Sequence, residues 1–116
     1  MSLPSAVRVR FEEVRVLAFG LVLPAYTMVG LPFEHPIRLL KILNATDADV
    51  VISYDGVTDH DVIPALGFCL YDFASNKSSV GGHLEMPIGG AVYARQLAAP
   101  GTLGAVAVVC MYASNA

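Results

Sequence analysis

The stretch Val7-Arg-Val-Arg-Phe-Glu-Glu-Val-Arg-Val16 decides the fold class. Up to Phe11, apolar residues occupy the odd positions and charged residues the even ones, which is the period of a β-strand with one packed face. After Glu12-Glu13 the apolar residues continue at even positions instead. Because a shift of one residue exchanges the two faces of a strand, this reversal predicts a β-bulge or a turn at the two glutamates.

The rest of the chain has the same character. Proline and glycine interrupt it about every ten residues, which leaves little room for helices of ordinary length. Between these interruptions lie further β-branched or aromatic segments, at 17–23, 26–31, 37–44, 50–54, 68–73, 83–86, 91–95 and 104–112. Such regular spacing is typical of a β-sandwich or a barrel. We predict an all-β protein, an antiparallel β-sandwich of jelly-roll type with about eight strands and almost no helix.

Several local features follow from this prediction. We expect one β-sandwich domain over residues 1–116, with residues 1–31 as a possible strand-rich arm that docks on a neighbour. The only candidate for a helical turn is Asp59 to Ala65, and Pro64 weakens it. Asp55-Gly56 predicts a tight turn with Gly56 at positive φ. The predicted core draws on alternating apolar positions: Val50, Ile52, Phe68, Leu70, Val92, Val106 and Val108.

The composition limits the classes of function. Apolar residues make up 55% of the 116 residues and charged residues only 15%, so intrinsic disorder is excluded and surplus apolar surface should meet another protein. The net charge is −3 and the seven basic residues are scattered, so we expect no nucleic-acid partner. The longest apolar stretch, Ala105 to Ala113, is far shorter than a membrane span, which needs about 20 residues. No leader pattern is visible at the start, and we expect a soluble protein made in the cytosol.

Candidates for chemistry are few. Asp59-His60-Asp61 could offer a base with an orienting carboxylate, but neighbouring residues of an extended chain point to opposite faces. Asn44 to Asp49 could form a weak calcium loop, although a turn held by its polar side chains explains it better. His35 and His83 share no ligand spacing with His60. We therefore predict no catalytic, cofactor-binding or metal-binding residues, and no cofactor.

The two cysteines, Cys69 and Cys110, each lie in an apolar run. Free cysteine is among the most buried residue types and packs as a small hydrophobic side chain. We expect both to be buried thiols rather than a disulfide or a metal-binding pair.

Five pieces of the stretch from Ile37 to Tyr112 resemble small virion structural proteins of tailed bacteriophages. They are Arg-Leu-Leu-Lys-Ile-Leu-Asn (38–44), Asp-Ala-Asp-Val-Val-Ile-Ser-Tyr-Asp-Gly-Val (47–57), Leu-Tyr-Asp-Phe-Ala-Ser-Asn (70–76), Met-Pro-Ile-Gly-Gly-Ala-Val-Tyr-Ala-Arg (86–95) and Gly-Ala-Val-Ala-Val-Val-Cys-Met-Tyr (104–112). The resemblance implies a jelly-roll protein that decorates or cements a capsid, or that sits in the head-to-tail neck. It also implies no catalytic residues, partners among its own copies and the major capsid protein or another virion protein, and a place in the virion after synthesis in the host cytoplasm.

Two other classes of function remain open. A ligand-binding β-sandwich, such as a carbohydrate-binding module, would need an exposed aromatic platform, and this chain has no Trp. A small jelly-roll enzyme would need His60 and His83 to converge inside the barrel.

Overall fold

A computed structural model describes residues 8–73 and 85–114. These residues form nine strands and one 3-10 turn (Phe19–Leu21). The strands are β1 (Arg8–Phe11), β2 (Arg15–Ala18), β3 (Thr27–Met28), β4 (Leu39–Asn44), β5 (Val50–Ser53), β6 (Asp61–Ile63), β7 (Phe68–Asp72), β8 (Tyr93–Gln96) and β9 (Ala105–Ser114).

The strands form two antiparallel sheets that pack as a sandwich. In the first, sheet A, the order is β7-β4-β9, and β1 and β2 lie end to end along the free side of β9. In the second, sheet B, the order is β3-β8-β5-β6. From β2 to β9 the chain changes sheet at every connection except the one between β5 and β6. This is the strand order of a jelly roll, and the predicted fold class is confirmed.

The core lies between the sheets and is almost entirely aliphatic. Ile42 of β4, Ile52 of β5 and Val108 of β9 have no exposed surface. Five of the seven predicted core residues are buried: Val50, Ile52, Val92, Val106 and Val108. The prediction for the other two, Phe68 and Leu70, is wrong, because β7 turns Cys69 and Tyr71 towards the core instead.

Strand β6 corrects a second prediction. The segment from Asp59 to Ala65 contains a three-residue strand that pairs with β5, and not a helical turn. Ile63 lies opposite Val50 and is buried, so one core contact fixes the segment as strand. The strand has only three residues and begins with Asp61, so the alternation of polar and apolar residues typical of a strand cannot be recognised in the sequence.

The phase reversal at Glu12-Glu13 is a β-bulge, as predicted. Phe11 pairs with Met111 and Arg15 pairs with Val108, so residues 12–14 lie opposite only residues 109 and 110. One extra residue in the edge strand reverses its phase, so that the Arg15 side chain points inward beside Glu12.

Residues 15–31 belong to the sandwich itself. Strand β2 pairs with β9, β3 pairs with β8, and Leu17, Val22 and Val29 lie in the core. All four residues of β1 are exposed, although their backbone pairs with β9. Docking on a neighbour therefore stays a prediction for β1 and for exposed surfaces, while the first seven residues lie outside the described residues.

Gly56 has the predicted positive φ, at 79°. It belongs to a seven-residue loop, 54–60, rather than to a two-residue hairpin. The Ser53 hydroxyl accepts a hydrogen bond from the Gly56 amide at 2.9 Å, and this contact fixes the start of the loop.

Candidate functional site

The segment from Asp55 to Asp61 does not bring its acidic and histidine side chains together. The Asp55 carboxylate accepts hydrogen bonds from the amides of Val57 and Thr58, at 2.8 and 2.7 Å, and these bonds hold its pKa below the usual value. Asp59 instead binds Arg95, and its Oδ2 lies 2.8 Å from Nη2. These contacts stabilise a loop and leave no shared site.

His60 and Asp61 also form hydrogen bonds with different partners. The His60 Nδ1 accepts a hydrogen bond from the Tyr54 amide at 2.9 Å. The Tyr71 hydroxyl donates to the Asp61 carboxylate. His60 is exposed and lies outside the sandwich interior, and His83 falls outside the described residues. The convergence that a jelly-roll enzyme would need is therefore not seen for His60.

The Asn44–Asp49 loop is the side-chain-held turn that its sequence favours. Asn44 is fully buried, and its Oδ1 accepts hydrogen bonds from the Thr46 amide and hydroxyl, at 3.0 and 2.6 Å. Asp47 accepts from the Thr102 amide at 2.7 Å, and Asp49 from the Ala65 amide at 2.9 Å. Both carboxylate oxygens of Asp47 and one of Asp49 already accept hydrogen bonds from the protein. Among residues 8–73 and 85–114, no group of three His, Cys, Asp or Glu side chains could hold a metal ion.

The bulge builds a buried charged centre that the sequence analysis missed. Glu12 and Arg15, with side chains only 4% and 8% exposed, form an ion pair at 2.6 Å. His35 Nδ1 lies 2.8 Å from the second oxygen of Glu12, and its ring stacks on Tyr112 at a centroid distance of 3.7 Å. We call Glu12, Arg15 and His35 the bulge centre.

The bulge centre holds the edge strand to the loop that precedes β4. The Arg15 guanidinium donates to the carbonyls of Leu31 and Pro32, at 2.6 and 2.9 Å. The Glu34 amide donates to Glu12 at 3.1 Å. Burial raises the pKa of Glu12, but the hydrogen bonds from His35, Arg15 and Glu34 outweigh burial and hold that pKa below its usual value. The carboxylate therefore stays ionised and fully bonded.

A cleft of about 410 Å³ opens beside the bulge centre. A carboxylate that orients a histidine is half of a general-base arrangement, which also needs a nucleophile within reach. The residues that line the cleft include no Ser, Thr or Cys. The nearby Cys110 thiol lies behind Glu12, fully buried, and burial raises its pKa to about 11. The contacts of the bulge centre are those of a structural clamp between the edge strand and residues 31–34.

Both cysteines are free thiols, as predicted. Cys110 is buried, whereas Cys69 is half-buried. Burial raises the pKa of Cys69 as well, so neither has the lowered pKa that activates a nucleophilic cysteine.

The remaining candidate is a surface, the outer face of sheet A. Register places its outward side chains on one continuous face. All of them are apolar except Lys41 and Asp72: Val9, Phe11, Val16, Ala18, Leu39, Leu43, Phe68, Leu70, Ala105, Ala107, Val109, Met111 and Ala113. Phe68 and Leu70 are 65% and 53% exposed. We call this surface the apolar face.

The outer face of sheet B is different, because the chain covers it with its own residues. Val51 points outward from the central strand β5, yet it is 1% exposed. The 54–60 loop lies against Tyr93, and a Cβ on Gly56 would stand 3.3 Å from that ring. The Arg95 guanidinium lies over the Tyr26 ring at 5.5 Å. The centre of the outer face of sheet B is thus covered by a loop and by polar side chains, whereas most of the apolar face is exposed among residues 8–73 and 85–114.

Comparison of this chain with protein-family models, with curated proteins and with solved structures gives no match. The described residues contain no helix with the length and apolarity of a membrane span.

Proposed function

We propose that this chain is a non-enzymatic structural protein that works by packing its apolar face against other protein subunits. The apolar face is the observation that carries the proposal. Monomeric soluble proteins rarely expose a contiguous apolar surface larger than a few hundred Å², and larger ones mark interaction sites. The apolar face is exposed, whereas the centre of the outer face of sheet B is covered. An exposed apolar face of this kind is typical of an interaction surface.

Within that class, we propose a virion protein: a decoration or cement protein that binds the outside of a bacteriophage shell and stabilises it. The support is the resemblance of residues 37–112, together with a jelly-roll scaffold, which is a common architecture of viral capsid domains. Fold alone does not assign function, so the proposal depends on the apolar face as well. A cement protein acts by mass action, because each bound copy stabilises the assembled shell.

The buried polar groups support a structural role, because they make the scaffold rigid. The bulge centre ties an edge strand to a distant loop, and the Asn44 amide donates to the Ala48 and Ile63 carbonyls at 2.8 and 3.1 Å. Hydrogen-bonded polar groups of this kind specify and stiffen a scaffold. A rigid scaffold keeps a contact surface in shape without any chemistry.

The experiment is to look for the protein in particles. Particles from the source of the sequence are purified on a density gradient, and the copy number of this chain relative to the major shell subunit is measured by quantitative mass spectrometry. A decoration protein should be present in a fixed ratio near that of the shell subunit. A small fixed number per particle would instead indicate the neck, and absence from particles would overturn the virion proposal.

A further inference from the structure

We infer that the apolar face binds a second copy of this chain, face to face, to give a two-fold dimer of four stacked sheets. This inference rests on the proposed function, since it names the first partner of the packing surface. It adds a specific interface, a symmetry and a set of residues that the function alone does not provide.

The size of the apolar face is sufficient for a dimer. Strands lie about 4.8 Å apart and rise about 3.4 Å per residue, so β7, β4, β9 and the edge formed by residues 8–18 together cover about 520 Å². Two copies would bury about 1,040 Å², which reaches the roughly 1,000 Å² expected of a biological interface.

The charges on the face suit an identical partner. It carries one cation, Lys41, and one anion, Asp72, so two copies meet without net repulsion. Two-fold symmetry places the same surface on both partners, and each Lys41 then meets a face that carries a carboxylate. A partner chosen for charge attraction would instead favour a face with an excess of one sign.

The relief of the face is also self-complementary. The central strand β9 presents mostly small side chains outward, including Ala105, Ala107 and Ala113, while its neighbours present larger ones such as Phe11 and Leu43. The small side chains of β9 leave a shallow groove between the larger side chains of its neighbouring strands. The larger side chains of one copy can therefore pack into the groove of the other. Sheets with the same twist stack with their strands within about 30° of each other, so a second copy has the curvature that this face requires.

The test is sedimentation equilibrium of the full chain, with a matched pair of variants. Leu70→Glu places a carboxylate on the apolar face, and Val62→Glu places one on the outer face of sheet B, where Val62 is 49% exposed against 53% for Leu70. We expect the wild type and Val62→Glu to be dimers. Leu70→Glu should raise the dimer dissociation constant at least about 100-fold, because each dimer would take two added carboxylates out of water, each beside the Lys41 that lies opposite position 70 in its own sheet.

A second variant keeps the test decisive if Leu70→Glu does not fold, as judged by circular dichroism. Val16→Glu lies on the other side of β9, on the same face, and should weaken the dimer in the same way. A monomeric wild type at high micromolar concentration would overturn the inference. So would a dimer that Val62→Glu breaks and that Leu70→Glu and Val16→Glu leave intact. Either result leaves the virion proposal standing if the chain is found in particles, so the two failures are distinguishable.

Discussion

At the scale of single residues, two glycines allow the cost of a left-handed backbone to be distinguished from the cost of a steric clash. Gly104 and Gly89 have nearly the same φ, +86° and +85°. A Cβ on Gly104 would lie 1.9 Å from the Ala45 carbonyl oxygen, whereas a Cβ on Gly89 would meet nothing within 4 Å. Gly104 therefore allows β9 to begin against the Asn44–Asp49 loop.

We predict that Gly89→Ala lowers the free energy of unfolding by about 1–2 kcal/mol, the cost of a left-handed residue with a side chain. Gly104→Ala should cost at least about 2 kcal/mol more, because the backbone itself must move. Urea unfolding at neutral pH measures both. Equal losses in the two variants would show that the loop yields without cost.

The bulge centre gives a second prediction at this scale. Glu12→Gln keeps the size of the side chain but removes the charge that pairs with Arg15, and Arg15 remains buried. Breaking a buried ion pair from one side costs about 3–5 kcal/mol, and the remaining amide oxygen should reduce this to about 2–3 kcal/mol.

The pH dependence of that loss follows from the lowered pKa of Glu12. Since the folded state binds the proton less tightly than the unfolded state, this stabilisation is present above the unfolded pKa of 4.5 and is lost as pH falls through the folded pKa. The difference in unfolding free energy between wild type and Glu12→Gln should therefore shrink between pH 5 and acid conditions, about pH 3. A difference that is constant down to that pH would contradict the assignment.

At the scale of elements, the sequence predicts strands well and their facing less well. The phase reversal at Glu12-Glu13 located the bulge, because the alternation of charged and apolar residues makes the register of β1 and β2 visible in the sequence. Strand β7 has no such contrast: Phe68, Leu70, Cys69 and Tyr71 are all apolar or aromatic, so both faces look like a core face. Phe68 and Leu70 were predicted as core residues because the apolar face has the same composition as a core face.

The bulge centre was beyond sequence reasoning for a different reason. Its members come from β2, from the bulge and from a loop, and His35 lies 23 positions from Glu12. One signal was present, since Arg15 is the single charge in the apolar stretch 14–22 and needs a buried partner. Nothing in the spacing identifies which carboxylate and which histidine meet it.

The orientation of β7 leads to a prediction that compares Leu70 of this strand with Ile42 of the neighbouring strand β4. Leu70→Ala should lower the free energy of unfolding of the monomer by less than about 1 kcal/mol, because Leu70 lies outside the core. Ile42→Ala, on the adjacent strand β4 and fully buried, should cost about 2–5 kcal/mol. Denaturant unfolding at low protein concentration compares the two. A larger loss for Leu70→Ala than for Ile42→Ala would place β7 in the opposite phase.

At the scale of the whole molecule, the two outer faces have opposite relations to water. Sheet B is closed by the chain's own loop 54–60 and by Arg95, so its stability is a property of one copy. Sheet A buries only its inner side in one copy, and its outer side gains from any partner that removes it from water. The stability of the molecule should therefore depend on its concentration.

This dependence has a definite size if unfolding and dissociation are coupled. Unfolding enthalpy is about 0.7 kcal/mol per residue, or about 160 kcal/mol for a dimer of this chain, so the Tm should rise by about 3 °C for each tenfold increase in protein concentration. Differential scanning calorimetry over a 100-fold range would then show a rise of about 6 °C. Leu70→Glu should have a Tm that does not change with concentration, because a monomer unfolds without a change in particle number. Val62→Glu should keep the wild-type dependence, and a flat Tm in the wild type would mean that the apolar face is not covered by a second copy.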